Sequence, residues 1–209
     1  MASVKKKTKT SKKQAHAASV PTKGERTRAR LVAAAIEQFA ARGFEQTTVS
    51  HIVKGAQVSQ PAFYLYFTSK DEIYQHLVRR VRTELRQVIK RARVPPDLPE
   101  SRASDKARGA VEAFLQYFVD NPKLASIGYF EAKPSSAIRN DVAGFLAENI
   151  SAEQASGYFR TSFDATFLAD CYNGTLDRVI QKYLLTGMLT APELAAQVAD
   201  IYLNGMNPR

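Results

Sequence analysis

Residues 47–70 read Thr47-Thr48-Val49-Ser50-His51-Ile52-Val53-Lys54-Gly55-Ala56-Gln57-Val58-Ser59-Gln60-Pro61-Ala62-Phe63-Tyr64-Leu65-Tyr66-Phe67-Thr68-Ser69-Lys70. The stretch predicts two short helices joined by a tight turn, then the capped start of a third. Thr48 suits an N-cap, because its hydroxyl can accept an orphan backbone N–H two or three residues on. Val49, Ile52 and Val53 place an apolar stripe at helical spacing. Gly55-Ala56-Gln57 breaks that helix, and glycine tolerates the left-handed backbone that a sharp turn often needs. Ser59 is a second cap, and Pro61 falls in the first turn, where a missing N–H costs little. This is the layout of a helix-turn-helix, whose second helix (about residues 59–66) would enter the DNA major groove.

The flanks extend the pattern. Arg26 to Arg42 predicts an amphipathic helix with Leu31, Ala35, Phe39 and Ala40 inward, ended by Gly43. Downstream, Ser69-Lys70-Asp71-Glu72 reads as a Ser-x-x-Glu capping box opening a long helix. With these elements the sequence resembles the TetR family of bacterial one-component transcriptional regulators. The resemblance rests on Gly43-Phe44, on Thr47-Thr48-Val49, on Val58-Ser59 followed by Phe63-Tyr64-Leu65-Tyr66-Phe67, and on Ser69-Lys70. It covers residues 25 to about 80; beyond them only all-helical character and the Asn121-Pro122 break are similar. Gln57 and Pro61 stand where the family often has glycine. Both fit sterically, so they bear on which operator is read rather than on the fold.

A chain of 209 residues is long enough to bury a substantial core. No apolar run has the length of a membrane span. Lysines near the N-terminus are not followed by the apolar segment of a secretory signal. The single cysteine, Cys171, cannot form an internal disulfide, which suits a reducing compartment. The expected location is the cytoplasm, with no membrane partner. The formal net charge of +10 is uneven: residues 1–24 carry +7, residues 25–109 another +7, and residues 110–209 carry −4. The N-terminal half is therefore suited to approach a polyanion, and the excess coincides with the helix-turn-helix.

The expected fold class is all-α, with about nine helices. Residues 1–22, rich in Lys, Ser, Thr and Ala without hydrophobic period, predict a disordered basic tail. Its lysines either add salt-sensitive phosphate contacts or serve only as a solubilising extension. Residues 23–69 form the expected helix-turn-helix DNA-binding domain, 70–93 a connecting helix, and 94–209 a helical ligand-binding and dimerisation domain. Within the last, helices are expected at about 104–120, 122–131, 136–156 and 163–186. A ninth opens at the capping box Thr190-Ala191-Pro192-Glu193 and runs to about 204.

Candidate functional residues follow from separating base reading from phosphate positioning. Gln60 is the candidate for base readout, since its amide can pair with adenine N6 and N7. Pro61 and Ala62 offer an apolar surface suited to a thymine methyl. Thr48 and Lys70, each at a helix start, are candidates for phosphate; Ser59 and Tyr66 complete the expected DNA-binding set. Tyr64 shares the face of Gln60, and the resemblance implies a phosphate role for its hydroxyl. Packing or solvated roles are the alternatives for Tyr64 and Lys70. Dimerisation is expected, because one such head holds too little base-reading surface. The apolar residues Leu176, Val179, Ile180, Tyr183, Leu194, Val198, Ile201 and Tyr202 are the candidate interface, a four-helix arrangement across a two-fold axis. The same stripes can instead pack inside one chain, or do both.

The resemblance further implies a small-molecule effector, of unnamed identity, held among aromatic residues. Phe114, Phe118, Tyr129, Phe145, Phe167 and Tyr172 are the candidates, with ordinary core packing the alternative for each. No cofactor and no metal are expected: His16, His51 and His76 are scattered, and no pair has ligand spacing. Phosphate-loop, dinucleotide and nucleophile-elbow motifs are missing from the sequence, so catalysis is not expected. The function so read is a DNA-binding transcriptional regulator, a ligand-released repressor on a palindromic operator. The alternative is a non-specific DNA-compacting protein that relies on its lysines.

Overall fold

Thr22 opens the first helix with a cap that joins side chain and backbone in both directions. In the computed structural model, which describes residues 22–131 and 135–206, its hydroxyl accepts the Glu25 N–H while the Glu25 carboxylate accepts the Thr22 N–H at 2.7 Å. Thr22 thus belongs to the helix start rather than to the expected tail, and residues 1–21 lie outside the described residues. Helix α1 spans Lys23–Gln46 with a break at Gly43, whose φ of +73° is a conformation that glycine adopts without a Cβ penalty. Then come α2 (Val49–Ala56), α3 (Gln60–Tyr64), α4 (Lys70–Ala92) and α5 (Glu100–Asp120). Helix α6 (Pro122–Ala125) runs on into a π-helical turn, Ser126–Phe130. Helix α7 is Ser135–Ala155, α8 is Ala165–Val179 continued by a second π-helical turn (Ile180–Leu184), and α9 is Ala191–Asn204. The described residues contain no strand, as an all-α chain requires.

The capping residues sit where their chemistry places them. Thr48, Ser59, Ser69 and Thr190 each accept a backbone N–H from the first turn of their helix. At α4 the box is half as expected: Ser69 caps Glu72, but the Glu72 carboxylate reaches past it to the Thr68 amide and hydroxyl. Two expectations were too smooth. The helix expected over 122–131 divides into α6 and a π turn, and the long eighth helix ends in another; the extra residue of a π turn leaves no periodic signature to read. Ala40, expected inward, is exposed, because the apolar face of α1 runs through Leu31, Ala35 and Phe39 and turns away before it.

Helix α4 organises the rest. Its Ile73, Leu77, Val81 and Leu85 have no exposed surface, and α5, α7 and the first π turn pack around them. Burying one such aliphatic side chain contributes about 1.5–3 kcal/mol. The partly exposed ion pair Arg80–Glu84 (2.8 Å) on the same helix contributes about 0–1 kcal/mol, so packing rather than charge holds α4 in place. Beyond α4, α5 lies on α9 and α7 on α8.

Candidate nucleic-acid interface

The short helix α3 is presented by restraints on either side of it. Phe63, with no exposed surface, anchors it inward and meets the Tyr64 ring edge-on at 5.4 Å. Ser59 caps it through the Ala62 N–H at 3.4 Å, and Pro61 occupies its first turn. Gln60, Pro61 and Tyr64 then fall on the outward side, all exposed, with Tyr64 at 51%. Ala62 is half-buried beside them. Outward placement of a polar amide, a flat apolar ring and a phenol is what groove reading demands, since base edges are met only by side chains free of the protein's own core.

The turn before α3 corrects the sequence reading. Its left-handed residue is Gln57, at φ +52°, and not Gly55, which is still within α2. Gly55 serves a different need: a Cβ there would lie 3.3 Å from the Ala34 Cβ, so its lack of side chain lets α2 lie close on α1. The turn is tied down from α1, where the Arg30 guanidinium donates to the carbonyls of Ala56 and Gln57 at 2.5 and 2.9 Å. At the start of α2, Thr48 is exposed and caps through His51: the Thr48 hydroxyl accepts the His51 N–H, and His51 Nδ1 accepts the Thr48 N–H, both at 3.3 Å. Histidine here takes the part usually given to glutamate.

Lys70, expected at phosphate, has a partner within the head. Its ammonium donates to the carbonyl of Phe44 at 2.8 Å and stands 4.2 Å from the centre of the Phe44 ring. The break at Gly43 leaves carbonyls at the end of α1 without helical partners, and a cation is the natural group to meet them. The side chain is therefore engaged within the head. Tyr66 is half-buried, with its hydroxyl beside Gly24 at the start of α1. Arg28 lies over the Phe67 ring at 5.1 Å and beside His76, whose pKa is lowered by burial first and by Arg28, Arg79 and Arg80 next. These ties from Arg28, Arg30 and Lys70 to partners 26 or more residues away went unread in the sequence, because nothing local announces them.

The six candidate aromatic residues of the second half divide into three groups. Phe114, Phe118 and Tyr129 are buried against one another, Phe118 being 5.4 Å from Phe114 and 5.1 Å from Tyr129. Phe145 and Tyr172 are half-buried, the first under the Arg86 guanidinium and the second edge-on to Tyr202. Phe167 is 58% exposed on the outer side of α8, so it does not line an interior wall with the others. Beside Tyr129 lies a polar group unforeseen from the sequence. The Tyr129 hydroxyl donates to Asn173 Oδ1 at 3.3 Å, the Asn173 amide donates to the Arg139 carbonyl, and Arg139 Nε stands 3.4 Å from Asp177. Burial raises the Asp177 pKa and, with Asp177 nearby, holds the Tyr129 phenol well above the usual tyrosine range.

The expected dimer set also separates. Leu176, Ile180, Leu194 and Val198 are at most 3% exposed and are consumed inside the chain. Val179 and Tyr183 are half-buried, while Ile201 and Tyr202 remain outside at 49% and 38%. The outward stripe of α8 is instead Phe167, Cys171, Gly174 and Arg178, at helical spacing. A bond of 2.8 Å between the Thr175 and Tyr202 hydroxyls brings the end of α9 alongside that stripe. No group of three or more metal-ligating side chains is found among the described residues, and none of their helices is long and apolar enough to cross a membrane.

A capped head that presents one short helix, joined by α4 to a larger helical body, defines a helix-turn-helix DNA-binding protein. The sequence profile of "Bacterial regulatory proteins, tetR family" matches residues 31–77. Over 188 residues the chain is 35% identical to the HTH-type transcriptional regulator YdgC of Bacillus subtilis, covering 90% of this chain and 96% of that one. Among solved structures it is similar to the fatty acid degradation regulator FadR of Bacillus halodurans, with a TM-score of 0.69 and 21% identity over 88% of this chain and 97% of that one. FadR of Bacillus subtilis, solved in complex with stearoyl-CoA, superimposes with a TM-score of 0.67 and 19% identity over 86% and 99% of the two chains. The chain belongs to the tetR family of bacterial regulatory proteins and is a DNA-binding transcriptional regulator.

Proposed function

We propose that the chain is a cytoplasmic, homodimeric, non-catalytic repressor that leaves a near-palindromic operator when a small molecule binds its helical body. The observation that carries this reading is α3: five residues, capped and anchored by Phe63, with Gln60, Pro61 and Tyr64 free of the core. In this reading Gln60 reads a base edge, Pro61 and Ala62 lie on a thymine methyl, and Tyr64, Thr48 and Ser59 meet the backbone. Lys70 and Tyr66 hold the head together, and the opening amides of α4, unused by the helix itself, meet phosphate in place of the Lys70 ammonium. Residues 23–69 are the reading head, α4 the connector and residues 94–209 the effector and dimer body. Two copies join through the outward side of α8 and α9, where Phe167, Ile201 and Tyr202 are exposed and Gly174 leaves room for a neighbouring helix.

The effector enters the body near Phe118, Tyr129 and Phe145, with an apolar portion against the rings and a polar portion toward Arg139 and Asp177. A ligand bearing an acyl chain is the first to try, a choice supported by the stearoyl-CoA complex of the similarly folded FadR of Bacillus subtilis. Selection of duplexes from a randomised pool, followed by titration against a scrambled duplex, tests the DNA reading. Gln60→Ala is expected to relax choice at one base pair by about 1–3 kcal/mol without changing the salt slope. Equal affinity for selected and scrambled duplexes at physiological salt would favour non-specific DNA binding instead.

A further inference from the structure

The π-helical turn Ser126–Phe130 touches α4 with its backbone. A Cβ built on Gly128 would stand 2.5 Å from Val81 Cγ2 and 2.8 Å from Val81 Cβ, far inside the ordinary carbon–carbon contact of about 3.5–4.0 Å. No other described glycine has a neighbour within 3.0 Å of its Cβ position. Gly128 and Val81 are both buried, so neither can yield toward solvent. The residues on either side of Gly128 are also tied: the Ile127 carbonyl accepts the Tyr74 hydroxyl at 3.5 Å, and Tyr129 reaches Asn173 on α8. One turn of π-helix thus bears on the connector with one residue and on the interior of the body with the next.

We propose that Gly128 is a positioning residue for DNA reading: its contact with Val81 sets the tilt of α4, and through α4 the placement of the recognition helix. This rests on the DNA-reading function proposed above. The lever can be sized. The far part of α4 is held where the Asn149 amide donates to the Ile89 carbonyl at 2.6 Å. At 1.5 Å rise per residue, Val81 lies about 12 Å from that hold and Lys70 about 28 Å. A shift of about 1 Å at Val81, the least that a methyl on Gly128 demands, therefore becomes about 2 Å at the head. A two-headed complex feels that displacement twice, because its half-sites are fixed by the DNA repeat.

The test uses the full chain, a duplex selected by the wild-type protein from a randomised pool, and a scrambled duplex of the same composition. Gly128→Ala is expected to lower affinity for the selected duplex at least about tenfold while leaving scrambled-duplex affinity and its salt slope within about twofold. Adding Val81→Gly returns the lost space and is expected to restore most of the preference. Val81→Ala, which opens a gap without a clash, is expected to reduce the preference as well and serves as the decisive variant if Gly128→Ala does not fold. A folded Gly128→Ala protein with the wild-type preference overturns the proposal, as does a wild-type preference in Val81→Ala when Gly128→Ala is unfolded. A wild-type protein that prefers neither duplex removes the DNA-reading function itself, a separate result from either of these.

Discussion

The head and the body use apolar helices in opposite ways. In the head, α3 is so short that one buried ring, Phe63, settles its orientation, and Gln60, Pro61 and Tyr64 are left exposed. In the body, α8 and α9 are long and apolar on more than one side, and the chain claims the larger share. Leu176, Ile180, Leu194 and Val198 are interior, while Phe167, Ile201 and Tyr202 stay outside. A functional surface is thus legible where a fold leaves one choice of inward face, and obscure where two faces would serve.

Substitutions on the inner and outer faces of the body have the largest expected effects. Leu176→Ala is expected to destabilise the monomer by about 2–5 kcal/mol, read by denaturant unfolding. Ile201→Asp is expected to leave the midpoint of a monomeric sample within about 0.5 kcal/mol, as an exposed substitution should. Its effect belongs in sedimentation, where the proposed dimer is expected to dissociate. Should Leu176→Ala be tolerated while Ile201→Asp unfolds the chain, the assignment of inner and outer faces would be reversed.

Much of this contrast was readable beforehand because capping is local. Thr48, Ser59, Ser69 and Thr190 do in space what their sequence positions require, and the inner face of α4 follows its apolar spacing from Ile73 to Ile89. Three things were not readable. Lys70 carries a phosphate-binding signature, yet its nearest acceptor, the Phe44 carbonyl, is 26 positions earlier and known only after folding. The π turns have no periodic mark, so nothing in the sequence sets Gly128 apart. The stripes of α8 fix that it is buried but leave open by how many degrees it is rotated. That rotation exchanged Phe167, expected inside, with Leu176, expected at the interface.

The two ends of α4 are held by different chemistry. The head end is held by Lys70 and by the Ser69 cap, and the body end by a buried acid. The Glu153 carboxylate accepts the Val94 N–H at 2.9 Å just beyond the helix and is 7% exposed. Burial raises its pKa, against the lowering effect of that hydrogen bond and of Arg93 and Lys106. A carboxyl whose folded pKa exceeds its unfolded value binds more protons in the native state, so its contribution to stability is full below the ordinary carboxylate value of 4.5. That contribution is lost as pH rises through the raised value. Glu153→Gln keeps an acceptor for Val94 and removes the titration, so its stability is expected to decline less with rising pH than that of the wild type. Glu153→Ala removes the acceptor too, and loss of the Val94 partner is expected to cost about 1–3 kcal/mol. Parallel stability–pH curves for wild type and Glu153→Gln would show that the buried charge plays no part at this end.

The smallest expected effect tests the head at the one residue that departs from backbone preference. Gln57 sits at φ +52°, a left-handed conformation that disfavours a residue with a Cβ by about 1–2 kcal/mol. Glycine removes that penalty but gives the unfolded chain more freedom, which takes back about 0.4–1 kcal/mol. Gln57→Gly is therefore expected to stabilise the head by up to about 1 kcal/mol, seen as a raised thermal midpoint. The hydrogen bonds that Gln57 gives the turn come from its backbone: its N–H meets the carbonyls of Val53 and Lys54, and its carbonyl accepts Arg30. They should survive the substitution. Its side chain is exposed two residues before the cap of α3, so a second measurement separates two reasons for its presence. If Gln57→Gly is more stable and reads the selected duplex unchanged, the glutamine side chain has no part in recognition. If stability rises while preference for the selected duplex falls, the strained backbone is tolerated because the side chain meets DNA, and the reading face extends from α3 back into the turn.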